Sequence, residues 1–275
     1  MNDPRTLDDT GAPRQVPVAK PILTADPAGP PTAHPMLLAD SSHRTAREDI
    51  GVFFCAVVVA LFALQGAAMI VERSGAVADP RMLSVVVTLC AALILLATTA
   101  AILKRRRQAA ASIGLCVERW WRTLLFGIVA VVGAYAVMIF TVGVISVVSP
   151  AAYEALSHNP ERITAMFPKL HPAALLALAL TVGFYEEVIC RGFLLTRLRR
   201  ATGSVVLAVV VSSAVFAVPH AASQAAITVV PLFLIGVLWA VLTVWQRSVV
   251  PAIIGHGVFD LCQLIALYQL NPAWE

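Results

Sequence analysis

Seven long apolar runs follow one another along this chain, and they leave few folds open to it. Each run is close to the roughly 20 residues that an α-helix needs to cross the hydrocarbon layer of a membrane. Only 13% of the residues are charged, whereas a soluble domain carries about a quarter. The runs occupy residues 51–71, 82–103, 123–148, 172–196, 203–221, 225–246 and 249–268. The sequence therefore predicts an all-α, polytopic transmembrane helical bundle of about seven to eight spans.

The eighth span, or a re-entrant piece, would come from residues 151–170. Before the first run, residues 1–47 contain eight of the seventeen prolines among polar and small residues. Such a segment buries too little apolar surface to fold, so we expect a disordered Pro-rich tail. It also lacks the apolar core of a signal peptide.

Basic residues collect at the ends of the apolar runs, in 104–107, in 197–200 and at Arg247. If the spans alternate in direction, all three groups lie on one side of the membrane. Lys and Arg are enriched on the cytosolic side of membrane proteins, so the pattern predicts a cytosolic N-terminus. A nucleic-acid site would need an extended basic groove with aromatic side chains between the charges. We therefore expect membrane lipid, and no nucleic acid, as a partner.

Six ionisable residues lie inside the apolar runs of the second half. A charge near the bilayer centre costs roughly 2.5–3.5 kcal/mol on insertion scales, so such residues are rare and mark functional sites. Several are four residues apart, which places them on one helix face. The six catalytic candidates are Glu186, Glu187, Arg191, His220, His256 and Asp260. Similar depths along their helices predict that Glu186, His220 and His256 meet at one cavity.

Three motifs contain these residues: EExxxR at 186–191, FxxxH at 216–220 and HxxxD at 256–260. With these motifs in this order, the chain resembles the CPBP family of intramembrane proteases. That family includes the eukaryotic CAAX prenyl endopeptidase and bacterial proteins linked to bacteriocin self-immunity. The resemblance covers about residues 170–270. One departure is the last motif, which more often ends in Asn than in Asp.

The resemblance implies an intramembrane endopeptidase in which a Glu-activated water hydrolyses a peptide bond. Glu186 would be the general base and His220 would help to hold the water. The substrate would be a peptide or membrane protein, and the chain would be integral to a membrane, with a bacterial cell membrane as the expectation. Three parts follow: a cytosolic tail at 1–47, N-terminal transmembrane helices at 48–170, and a CAAX-protease-like catalytic core at 171–270.

The resemblance leaves the cofactor unknown. Members of the family have been called metalloproteases, and Glu186, His220 and His256 are the candidate ligands for a zinc ion with one open position. The family is also described as activating water with glutamate and no metal. The HExxH helix of zinc peptidases is absent from the sequence.

Several alternatives stay open at the level of the sequence. Glu187 and Arg191 form either part of the catalytic machinery or an internal ion pair that fixes helices. The glycines on either side of His256 give room either to a substrate backbone or to a neighbouring helix. The whole chain is alternatively a non-proteolytic immunity or scaffold protein of the same fold. A proton-coupled transporter is less favoured, because the polar residues occupy only one half of the chain.

Overall fold

The computed structural model describes residues 43–75 and 79–270, which form helices and turns with no strand among them. The prediction of an all-α polytopic bundle is confirmed. Seven helical stretches of the described residues are long and apolar enough to cross a membrane, and the protein is an integral membrane protein. The helices are α1 (His43–Ser74), α2 (Pro80–Arg105), α3 (Trp120–Val148), α4 (Pro150–Ser157), α5 (Asn159–Met166), α6 (Pro172–Glu187), α7 (Leu195–Thr202), α8 (Val205–Ala217), α9 (Val229–Gln246) and α10 (Val250–Leu270).

Two places differ from the predicted runs. Residues 151–170, considered as an eighth span, contain α4 and α5, which have eight residues each. A helix of that length is about 12 Å long and cannot cross a membrane. Helix α1 begins at His43, so the last residues of the predicted tail are helical. Residues 1–42 of that tail lie outside the described part of the chain.

The fourth span is continuous from Pro172 to Thr202 but changes its winding on the way. A π-helical segment, Val188–Leu194, joins α6 to α7. Such segments insert one extra residue per turn and occur frequently at functional sites. Here the change begins directly after the two glutamates of the first motif, and every residue of the segment is buried.

Short polar and glycine signals set the helix ends. The Ser204 hydroxyl accepts a hydrogen bond from the Leu207 amide and begins α8. Ser149 does the same for the Ala152 amide at α4. Gly203 ends α7 with a φ of 72°, a left-handed conformation that glycine adopts without steric cost. The turn between the fourth and fifth spans thus lies at Gly203, where the fifth apolar run of the sequence begins.

The basic groups of the sequence meet at one end of the bundle, which we call the basic end. Arg106, after α2, donates to Asp49 of α1 at 2.8 Å, and Arg197 of α7 donates to the same carboxylate at 3.0 Å. The Ser248 hydroxyl, between α9 and α10, donates to the Cys116 carbonyl at 2.7 Å. The hydrogen bond to Asp49 raises the pKa of Arg106 above its ordinary value.

Arg197 differs from its expected place among surface-anchoring charges. Its side chain is fully buried and its ion-pair partner Asp49 is 4% exposed. Its second guanidinium nitrogen donates to the Gln108 side chain at 2.6 Å. Arg197 therefore ties α7 to α1 and to the segment after α2, rather than reaching toward lipid head groups.

Candidate active site

A cavity of about 900 Å³ lies between the short helices α4 and α5 and the buried faces of the spans around it. Four of the six catalytic candidates lie on its wall: Glu186, His220, His256 and Asp260. These residues come from α6, from the turn after α8 and from α10. The fold thus brings side chains that are far apart in sequence to one space.

Glu187 and Arg191 are not on the cavity wall but directly behind it. Both side chains are fully buried, and Arg191 donates to Glu187 at 2.7 Å. The ion pair that the sequence left as an alternative is therefore present. It is not isolated from the cavity, because the same carboxylate oxygen of Glu187 also accepts from the Nδ1 of His256 at 2.9 Å.

Glu186 is half-buried on the cavity wall. The neighbouring Tyr185 hydroxyl donates to one of its carboxylate oxygens at 3.0 Å. An ionised carboxylate accepts hydrogen bonds only, and it has a second oxygen for another partner. Tyr185 is not among the residues predicted from the three motifs; its signal in the sequence is a hydroxyl group next to two glutamates in an apolar run.

His220 has a defined tautomer. Its Nδ1 lies 3.0 Å from the backbone carbonyl of Phe216, which can only accept, so the proton is on Nδ1. The Nε2 atom is then the basic nitrogen of the ring. This hydrogen bond joins two residues that are four apart, which is the spacing of the FxxxH motif. The turn containing His220, Val218–Ala222, is a 3₁₀ helix that starts around Pro219, whose ring and missing N–H end the regular α-helix.

Phe216 lines the cavity and also contacts the side chains of Arg191, His220 and His256. The guanidinium of Arg191 lies over its ring at 4.2 Å from the centroid. The same ring meets the imidazoles of His220 and His256 edge to face at 5.4 Å and 5.6 Å. Phe216 thus offers its face to a buried cation, an interaction that partly replaces lost hydration.

Asp260 follows His256 by one helical turn. Its carboxylate lies 3.4 Å from the Nε2 of His256, and its side chain is 27% exposed, against 5% for the histidine. The two nitrogens of this imidazole therefore face two different carboxylates, Glu187 inside and Asp260 at the cavity. Both carboxylates favour a ring that carries protons on both nitrogens.

The glycines beside His256 serve helix packing. A Cβ atom on Gly255 would collide with Ala130 of α3. A Cβ atom on Gly183 of α6 would lie 2.6 Å from the backbone nitrogen of Gly257. Close approach of α3 and α6 to α10 holds the backbone of His256 from two sides, which is the use of small residues in membrane bundles.

The described residues do not fit the zinc site that the resemblance left open. No group of three or more His, Cys, Asp or Glu side chains in this part of the chain is arranged to hold a metal ion. The candidate ligands Glu186, His220 and His256 share the cavity, and the Nε2 atoms of the two histidines would be the ligating atoms, but the three side chains form no such group. The arrangement suits proton transfer and hydrogen bonding without a metal-ligand set.

The attachment of α5 beside the cavity is a second feature that the three motifs do not predict. Asn159, at the start of α5, donates to the Thr228 hydroxyl at 2.8 Å and accepts from the Ala225 amide at 2.9 Å. These bonds hold α5 against the loop that follows His220. The sequence signal is weak, because a single Asn before a proline predicts a turn and not its distant partner.

Comparison with known proteins agrees with the motifs. Residues 168–262 match the family model described as Type II CAAX prenyl endopeptidase Rce1-like. The matched segment is about a third of the chain. The resemblance predicted from the three motifs is thereby confirmed, and the matched segment contains all six catalytic candidates. No curated protein and no solved structure matches the chain.

Proposed function

We propose, from the match of residues 168–262 to the CAAX prenyl endopeptidase model, that the chain is an intramembrane endopeptidase whose general base is Glu186. The observation that carries the proposal is the shared cavity of Glu186, His220 and His256, with both histidine rings oriented by hydrogen bonds. A peptide bond placed between these groups has a base on one side and a hydrogen-bond donor on the other.

The first step adds water to the peptide carbonyl. Glu186, held by Tyr185 through one oxygen, takes a proton from the water through the other. The basic Nε2 of His220 accepts a hydrogen bond from the same water and orients its lone pair. The new C–O bond forms as the proton moves to Glu186.

His256 stabilises the oxyanion that develops in this step. Its Nδ1–H is committed to Glu187, so the donor is Nε2–H, which the oxyanion shares with the Asp260 carboxylate 3.4 Å from that nitrogen. A donor fixed in advance acts strongly in a site with little water. Asp260 supports the protonated ring from the next turn of α10 and is an orienting residue rather than an oxyanion donor.

The second step breaks the C–N bond. The proton held by Glu186 passes to the departing amine, so that the carboxylate is restored and water has been divided between the two products. Glu187 and Arg191 stay behind the cavity wall and fix His256 throughout. No step of this scheme passes through a metal ion.

The experiment compares the newly formed N-termini of membrane proteins in cells that carry wild type or Glu186→Ala. We expect a set of termini that depends on Glu186, with Glu186→Gln equally inactive because an amide cannot take the proton. Glu72→Gln, at the end of α1 and outside the matched segment, is the matched control and keeps the wild-type pattern. Identical termini in all variants would favour the non-proteolytic scaffold alternative.

A further inference from the structure

We infer that Trp239 is a positioning residue for the proposed hydrolysis, with its indole fixing the plane of the His256 imidazole. The inference rests on the proposed function, because it gives Trp239 a part in the same site. Trp239 lies on α9 and in none of the three motifs. Its side chain is among the largest that are fully buried in the described part of the chain.

The indole and imidazole rings face each other at a tilt. The indole and imidazole centroids are 4.7 Å apart and the ring planes make an angle of 31°. On another side, Phe216 meets the imidazole at 90° and 5.6 Å. The ring nitrogens face Glu187 and Asp260. With one face against the indole, the imidazole cannot turn about its Cβ–Cγ bond without losing this stack.

Trp239 is held in place by a hydrogen bond to α3, which lies outside the matched residues 168–262. Its indole Nε1 donates to the backbone carbonyl of Ala130 at 3.2 Å, and Ala130 belongs to α3. The same Ala130 packs against Gly255, the residue before His256. One point of α3 therefore fixes both the backbone of His256 and the ring that covers its side chain.

Trp239 satisfies two requirements that a smaller apolar residue does not. A flat, electron-rich face is suited to an imidazole that carries positive charge between two carboxylates. An N–H group at its far end needs a buried acceptor and finds one in Ala130, which fixes the orientation of the indole. A leucine at this position fills part of the volume but neither stacks nor anchors.

Kinetics of peptide cleavage by the full chain in detergent, with a substrate found through its Glu186-dependent termini, test the inference. Trp239→Leu is expected to lower kcat at least about tenfold with KM within about twofold. A tilted His256 ring no longer points its N–H at the oxyanion, whereas binding of the substrate does not depend on that hydrogen bond. Trp239→Phe keeps a stacking face but loses the anchor to Ala130, and is expected to lower kcat only about threefold. Trp245→Leu, on the same helix but 66% exposed, is the matched control and leaves kcat unchanged.

A second measurement does not depend on activity. In protein with ¹³C-labelled histidine, the His256 signal is one of six and is assigned by its absence in His256→Gln. The indole face is expected to shift it upfield in wild type and in Trp245→Leu, and the shift is lost in Trp239→Leu. If wild type cleaves no peptide, the proposed function fails while this signal still reports whether Trp239 holds the ring.

Three results would overturn the inference: an unchanged kcat in Trp239→Leu, a rise in KM alone, or an equal loss in Trp245→Leu. If Trp239→Leu does not fold, Trp239→Phe decides. A kcat reduced about threefold with a broadened His256 signal supports the positioning role, since this variant removes only the anchor to Ala130. A wild-type rate and line width in Trp239→Phe contradicts it.

Discussion

Two fully buried arginines on the fourth span, Arg191 and Arg197, belong to two clusters with different roles. Arg191 pairs with Glu187, which is four residues away on the same helix and also holds His256. Arg197 pairs with Asp49 of α1, and Asp49 also holds Arg106. The first cluster, Glu187, Arg191 and His256, orients groups at the cavity. The second, Asp49, Arg106 and Arg197, joins helices at the basic end.

The difference shows that burial of a charged side chain inside the helix bundle does not by itself identify a residue of the candidate site. Both clusters satisfy the rule that intramembrane ions are paired. They differ in what their carboxylate faces: an imidazole on a cavity wall in one case, and two guanidinium groups in the other. The comparison therefore predicts separate effects on turnover and on stability.

The largest effect is expected from Asp49→Ala. The change leaves the buried Arg197 without its carboxylate, whereas Arg106 keeps its pair with Glu48 at 3.2 Å. Removal of one partner of a buried ion pair costs about 3–5 kcal/mol. Thermal unfolding in detergent measures the loss, and turnover per folded molecule should stay near wild type. Arg81→Ala breaks the exposed pair with Asp79 but leaves Asp79 as the N-cap of α2, and is the control, with little change expected. Equal destabilisation by both variants would contradict a special role for the Asp49 cluster.

Glu187→Gln is expected to lower turnover in addition to stability, because the fully buried Arg191 loses its charged partner. The amide keeps the size of the side chain but weakens the acceptor for His256 and the charge opposite Arg191. Loss of such an orienting partner typically costs 10–100-fold in activity. Asp49→Asn is the matched isosteric change in the other cluster and should lower stability with little effect on kcat. Stability loss without any loss of turnover in Glu187→Gln would reduce the Glu187–Arg191 pair to a structural element.

The sequence predicted the fold well because hydropathy reports directly on the cost of exposing polar groups to lipid. It also predicted pairs along one helix, such as Glu187 with Arg191, because their spacing is the helical repeat. The partners of Asp49 and Trp239 could not be predicted, since they depend on how distant helices pack. A single Asp near the start of an apolar run and a Trp within one have many equivalent partners at the level of sequence.

The smallest effect is expected from Asp260→Asn, the change that restores the residue commoner in the family. Asp260 lies 3.4 Å from the Nε2 of His256, a longer contact than the 2.9 Å between Glu187 and Nδ1. Glu187 therefore carries more of the orientation. An Asn carbonyl can still accept from the imidazole, and its N–H₂ group can donate to an oxyanion that an ionised Asp would repel.

We therefore expect Asp260→Asn to keep kcat within about threefold of wild type, whereas Asp260→Ala, which removes the acceptor, loses about tenfold or more. Steady-state cleavage by the two purified variants measures the difference, with unfolding temperatures as the control for folding. Since Asp260 is 27% exposed, neither change should destabilise the chain as Asp49→Ala does. A complete loss of activity in Asp260→Asn would mean that the negative charge itself is needed, and Asp260 would then have to act on a proton or a cation rather than orient His256.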